Sequence, residues 1–150
     1  MTVAILVVGA LTFATITSLR NARLSQSQNI GTKIAQEGLE KTRTLRDRNT
    51  PGSVIYTKPK GEQTSAFSDL WQSDICSQTC YFTFNAQGTA IIGGTIISFE
   101  TANMPDGFGR QIKIKDIEDG KEQKEVTAIV RWSDFSGEHE SYLSTILRKI

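Results

Sequence analysis

From Met1 to Leu19 the chain carries no ionisable side chain, MTVAILVVGALTFATITSL; charge begins at Arg20 and Arg23 and becomes dense from Lys33 onward. No proline precedes Pro51, and Gly9, Gly31 and Gly38 are the weak helix formers of the interior. The pattern predicts one continuous helix from Thr2 to about Arg48, set in two environments. At about 1.5 Å per residue it would measure about 70 Å, roughly twice what a compact domain of this size needs. Asn49-Thr50-Pro51-Gly52 then stops it, since neither proline nor glycine continues a helix well.

On a helical wheel Leu24, Gly31, Ile34, Ala35, Gly38, Thr42 and Leu45 form one stripe, roughly 100° wide. Lys33, Gln36, Glu37, Glu40, Lys41, Arg43 and Asp47 fall on the other side. Residues 24–46 are therefore expected to lay one face on a small domain, the two glycines letting the backbone come close. Residues 3–19 are apolar nearly all round, which suits lipid or other helices. Val3, Ala4, Ile5, Leu6, Val7, Val8, Leu11, Phe13 and Ile16 are the expected contact set. The expected division is thus 1–23 for the apolar half-helix and 24–150 for a globular domain.

Beyond the helix, Val54-Ile55-Tyr56 reads as a short strand, Lys58 to Ser65 as a polar run, and Ala66–Trp71 as a brief apolar patch. Asp74 to Cys80 reads as a loop. Tyr81–Phe84 and Thr89–Ile92 flank Asn85-Ala86-Gln87-Gly88, a hairpin turn; Gly93-Gly94 breaks the run and Thr95–Phe99 resumes it. Phe108, Arg110, Ile112 and Ile114 then alternate with Gly109, Gln111, Lys113 and Lys115, giving one wet and one mostly dry face. Asp119-Gly120 signals a tight turn. Val126, Ala128, Val130 and Trp132 alternate in turn, and Ser136-Gly137 reverses the chain into Ser141–Leu147. The result is a three-stranded antiparallel meander whose dry face the helix stripe would cover. Leu24, Ile34, Ala35, Gly38 and Leu45 are expected against Ile112, Ile114, Val126, Val130 and Trp132. The predicted class is α+β, a long helix across an antiparallel sheet with its apolar front half projecting. Strand order stays open, as does the choice between Tyr142, Ser144, Ile146 and Leu143, Thr145, Leu147 as the inward set.

The apolar segment admits four readings: a cleaved secretory signal, a buried core helix, a single-span anchor, or a helix that alternates between membrane and a bundle of its own kind. No basic residue precedes it, against the first, and its length argues against the second. The last reading accounts best for the unbroken amphipathic continuation. One hundred and fifty residues make one ordinary domain, and 17 basic against 16 acidic side chains leave a net charge of +1. That balance provides no broad field for nucleic acid or acidic lipid.

Candidate chemistry is sparse. His139, the only histidine, lies between Glu138 and Glu140 and reads as a solvated turn residue rather than a general base. Ser141, His139 and Asp134 lack the glycine pattern of a nucleophile elbow. Cys76, Cys80 and His139 make too few ligands at the wrong spacing for zinc. The close cysteine pair instead suggests a small disulfide loop and an oxidising compartment. Gly88–Gly94 has neither the lysine nor the helix of a phosphate cradle. Lys41, Arg43, Arg46 and Arg48 complement the helix C-terminal dipole more readily than they would contact DNA. Trp71, Trp132 and Phe135 read as packing residues. No catalytic, cofactor or metal site is expected.

Three stretches together resemble the type IV pilin and pseudopilin family, most closely its minor, pilin-modification type: MTVAILVVGALTFATI, NIGTKIAQEGLEKTRTLRDRN, and FGRQIKIKDIE followed by KEVTAIVRW and ESYLSTIL. The resemblance implies a non-enzymatic structural subunit whose apolar half-helix sits in the membrane before assembly and in the filament core afterwards. Its partners would be other pilin subunits and the assembly machinery, with no small-molecule substrate and no nucleic acid. It would lie in the inner membrane with its domain outside, then in a surface filament. A pseudopilin of a type II secretion system and a non-polymerising, membrane-anchored extracellular binding domain are the alternatives. The family's processing motif, a glycine followed by a short hydrophobic stretch with a glutamate, is not among these residues. Met1-Thr2-Val3 corresponds to the point just after that glutamate, so the resemblance implies a leader upstream. Arg20 and Arg23 alone would place the domain in the cytoplasm; the family's outward orientation requires that leader to be basic.

Overall fold

The computed structural model describes residues 2–58, 61–71, 79–93, 98–117 and 122–149. Helix α1 runs Thr2–Arg48 without interruption. Strands β1 (Val54–Lys58) and β2 (Gly61–Ser65) follow, then a 3-10 turn (Phe67–Trp71), β3 (Thr79–Phe84), β4 (Ile91–Gly93), β5 (Phe108–Asp116), β6 (Gln123–Asp134) and β7 (Gly137–Arg148). The chain forms two compact units, residues 1–30 and residues 31–150.

In the second unit the described strands form one seven-stranded sheet in the order β2-β1-β4-β3-β5-β6-β7. All pairings are antiparallel except β1 with β4, which run parallel. The expected meander is β5-β6-β7, and the hairpin expected around Asn85–Gly88 is β3-β4. The polar run after Lys58 forms a strand: Gly61–Ser65 pairs back on β1 at the edge of the sheet. Such an edge needs no apolar face, which is why its sequence carries no strand signal. Residues 94–97, within the strand expected at Thr95–Phe99, and Asp119-Gly120 lie outside the described residues.

The back of α1, from Gly31 to Arg48, packs on the sheet. Ile34, Ala35, Leu39, Thr42 and Leu45 are buried on the helix, and Ile112, Ile114, Val126, Ala128, Val130, Trp132 and Leu147 are buried on the sheet. Leu24 belongs to the first unit and is half-buried. A Cβ on Gly31 would stand 2.8 Å from Trp132 Cζ3, and one on Gly38 would stand 2.9 Å from Arg110 Cδ. The glycines thus set how closely helix and sheet approach. On β7, Leu147 is buried while Tyr142 and Ile146 are 71% and 57% exposed, which fixes the register: Leu143, Thr145 and Leu147 share the helix side.

Asn49 ends α1 in the left-handed region (φ 43°), which asparagine enters more readily than most residues and which is common just past a helix end. Its Oδ1 accepts from the Ser68 N–H at 2.8 Å. That bond ties the helix end to the 3-10 turn, whose Phe67 and Leu70 fill the core. At the start of β6, Lys124 is buried with its ammonium on Asp116 and 6.0 Å above the Trp71 ring.

Candidate assembly surface on the N-terminal helix

Every side chain described between Val3 and Arg23 is exposed. Val3, Ile5, Leu6, Val8, Leu11 and Phe13 each leave more than 60% of their surface open, and Val7 and Ile16 about half. The side chain of Ala4 lies outside the described residues. A soluble helix would present such residues on one face only; here they surround the axis. By length and composition the helix can cross a membrane, and none of its apolar window is buried in the protein.

Four threonines interrupt this run at 2, 12, 15 and 17. Thr12 donates to the Val8 carbonyl at 2.8 Å, Thr15 to Leu11 at 2.7 Å, and Thr17 to Phe13 at 2.9 Å. Each of these three hydroxyls is satisfied inside the helix, so burying it in an apolar phase strands no donor. From composition alone these positions read as weakly polar; the back-bonding makes the surface apolar in effect. Arg20 and Arg23 bound it on the C-terminal side.

Three of the four basic residues in the last helical turns meet carboxylates. Lys41 meets Glu37 at 2.7 Å, Arg43 meets Glu40 at 2.8 Å, and Arg46 meets Asp47 at 2.7 Å. The hydrogen bond and charge of Lys41, with the Arg110 charge behind it, hold the Glu37 carboxyl below its ordinary range. From Lys41 to Arg46 the basic cluster is therefore interleaved with carboxylates.

Sequence reasoning placed Arg110 on the dry face without a partner. It is fully buried, its guanidinium 3.1 Å from Glu100 Oε2, 4.7 Å from the centre of the Phe84 ring and 3.7 Å from Glu37. Glu100 is held there by a backbone bridge to Arg110 itself, with N–H donated each way at 2.7 and 2.9 Å. It lies in a loop, where side-chain periodicity carries no signal.

His139 stacks on Trp132 at 5.5 Å, and Trp132 stacks in turn on Phe108 at 5.6 Å. Its Nε2 lies 3.0 Å from both Asp134 Oδ1 and Ser136 Oγ. A serine relay needs the acid on one ring nitrogen and the serine on the other; here both meet the same nitrogen. The cluster instead closes the β6-β7 turn. Asp134 Oδ1 also accepts from the Ser136 N–H at 2.7 Å and the Ser136 hydroxyl at 2.6 Å. These Ser136 hydrogen bonds, then His139, pull the Asp134 carboxyl down to about 2. Ser141 faces Val130 across the ladder instead.

Cys80 sits on β3 opposite Ile114, and Cys76 lies outside the described residues, as does the pairing of the two. Through Ile114 and Val126 the Cys80 row reaches Thr145, six residues along β7 from His139. That is about 20 Å of strand, too far for a shared metal ion. Among the described residues no group of His, Cys, Asp and Glu is placed to hold a metal. A hollow of about 360 Å³ opens between Phe99, Met104 and Arg131. Arg131 is already committed there, lying 4.6 Å from the Phe99 ring centre and 2.6 Å from Glu140.

No protein family, curated protein or solved structure compared with this chain matches it.

Proposed function

We propose that this chain is a structural subunit, a minor pilin or pilin-like protein of a type IV pilus-type surface filament, assembled through its N-terminal helix. One observation carries the reading. A single unbroken helix joins a charge-free segment exposed on all sides to an amphipathic segment that covers an antiparallel sheet. Such a helix belongs to two settings. Its back half is core to its own domain, while its front half has no cover among the described residues and suits lipid or the same segment of other subunits. In this reading Val3–Ile16 makes the subunit contacts, the sheet domain faces outward, and Cys76 and Cys80 close a disulfide loop outside the cytoplasm.

The test is the mass and N-terminal sequence of the native protein from its own cells, together with its place after surface shearing. A subunit trimmed after a glycine, methylated at its new N-terminus and recovered in sheared fibres is the expected result. The same processing with the protein retained at the membrane, and its loss blocking protein export, would transfer the role to a secretion pseudopilin. Unprocessed protein released only by detergent would overturn the filament role and leave an anchored domain.

A further inference from the structure

A hollow of about 400 Å³ opens where the end of α1 meets the turn between β3 and β4. Lys41 and Arg48 line it from the helix, Thr50 and Ser53 from the segment that follows, and Gly88 and Thr89 from the turn. None of its lining residues is acidic and none is aromatic. In a chain whose net charge is only +1, two cations without a carboxylate select for an anion.

Lys41 and Arg48 are seven residues apart, so two helical turns, about 10 Å, put them on one face. Lys41 crosses to the turn, its Nζ 3.5 Å from where a Cβ on Gly88 would stand. Glu37, outside the hollow, takes one side of that ammonium at 2.7 Å, and an ammonium carries three donors. Arg48 has no ion pair among the described residues. Two full charges outweigh the roughly half charge of opposite sign at the helix C-terminus.

The hydroxyls suit a polar ligand. Thr89 Oγ1 accepts from Asn85 Nδ2 at 3.0 Å, which leaves its own proton to donate. Ser53 is 2% exposed and its Oγ has no hydrogen-bond partner. Buried hydroxyls are normally paired, so the wall at Ser53 is chemically incomplete. Small-molecule pockets run from about 300 Å³ upward, so there is room for a ring as well as its anion. No aromatic side chain is present to stack a nucleobase, and the charge sits in one hollow rather than along a track.

We infer that this hollow binds a phosphorylated sugar, its phosphate between Lys41 and Arg48 and its hydroxyls on Thr50, Ser53 and Thr89. A phosphate monoester carries a charge of about −1.5 to −2 at neutral pH, which matches two cations.

The test titrates the full-length, isotope-labelled chain in nonionic detergent micelles with glucose 6-phosphate and mannose 6-phosphate, followed by amide NMR shifts. Saturable shifts at Ser53, Gly88 and Thr89 are expected, about tenfold tighter than with inorganic phosphate because the sugar adds hydrogen bonds. Arg48→Gln and Lys41→Gln should each weaken binding roughly fivefold or more. Arg46→Gln, nearby on the helix but outside the hollow, should not. Ser53→Ala should weaken binding with the melting temperature unchanged, since the lost hydroxyl has no partner in the domain. Phosphomannan binding more tightly than either monomer would identify a surface polymer as the source, and weaker binding a free sugar phosphate. Three results would each overturn the proposal: no saturable shift at these amides, equal affinity for inorganic phosphate, or an Arg46→Gln loss equal to that of Arg48→Gln. Tighter binding of a short single-stranded DNA would also overturn it. The readout needs neither processing nor fibre formation, so its failure leaves the proposed function standing, and the reverse holds too.

Discussion

Arg110 and Glu100 meet at 3.1 Å with both side chains almost wholly closed to water. The pair anchors the loop before β5 beneath the helix, and the Phe84 ring covers the guanidinium from one side. Removing one partner leaves an uncompensated buried charge. Glu100→Gln and Arg110→Met should each cost about 3–5 kcal/mol, and the double variant clearly less than their sum. Urea unfolding followed by tryptophan fluorescence reads all three.

Gly31→Ala and Gly38→Ala should both destabilise the domain although alanine favours helix by about 1 kcal/mol. At Gly31 the new methyl meets a buried indole at 2.8 Å, and at Gly38 it meets Arg110 at 2.9 Å and Ile112 at 3.2 Å. Overpacking of this kind costs about 1–3 kcal/mol. Gly9→Ala meets nothing within 4 Å and should leave the domain's melting temperature unchanged. Thermal melting of the three variants side by side separates packing from propensity.

Asp134 should titrate near pH 2, well below the usual 3.8 of its type. A carboxyl lowered on folding stabilises the fold above its unfolded value and loses that contribution as pH falls through the folded value. The β6-β7 turn should therefore hold at pH 4 and loosen as the pH approaches 2. Removing the main donor by Ser136→Ala should raise the midpoint toward 3.8. Carboxyl chemical shifts followed by NMR against pH give both values.

A charge placed in the apolar half-helix tests what surrounds it. Leu11→Arg should disfavour a membrane position by about 2.5–3.5 kcal/mol. Alkaline carbonate extraction should move the variant into the soluble fraction while the wild type stays with the membrane. Because Leu11 is 63% exposed, the melting of the sheet domain should not change.

The sequence carried the helix and the first two strands of the meander clearly because both rest on strong periodicities, 3.6 in residues 24–46 and 2 in residues 108–132. The stripe left out Leu39, buried at 5%, since it lies at the stripe's border where wheel position does not decide burial. β2 escaped notice because an edge strand without an apolar face leaves no pattern. The choice of inward set on β7 could not be made from alternation, because both sets mix apolar and polar residues; only the ladder with β6 settles it. The Arg110–Glu100 pair joins a strand to a loop ten residues earlier, and nothing in composition marks such a meeting.

The order in which the chain is made runs against the order in which its core closes. The helix stripe leaves the ribosome first, yet its cover comes last: Ile34 receives Arg110 from 76 residues later, and Arg43 reaches Thr145 across 102. Contacts of such separation form slowly, because long loops must close before they are rewarded. The β6-β7 hairpin is local and can close as soon as it emerges. For most of its synthesis, then, the nascent chain is a bare amphipathic rod awaiting its lid. Truncations that stop short of β6 should yield no partial domain and leave the rod to aggregate or be degraded.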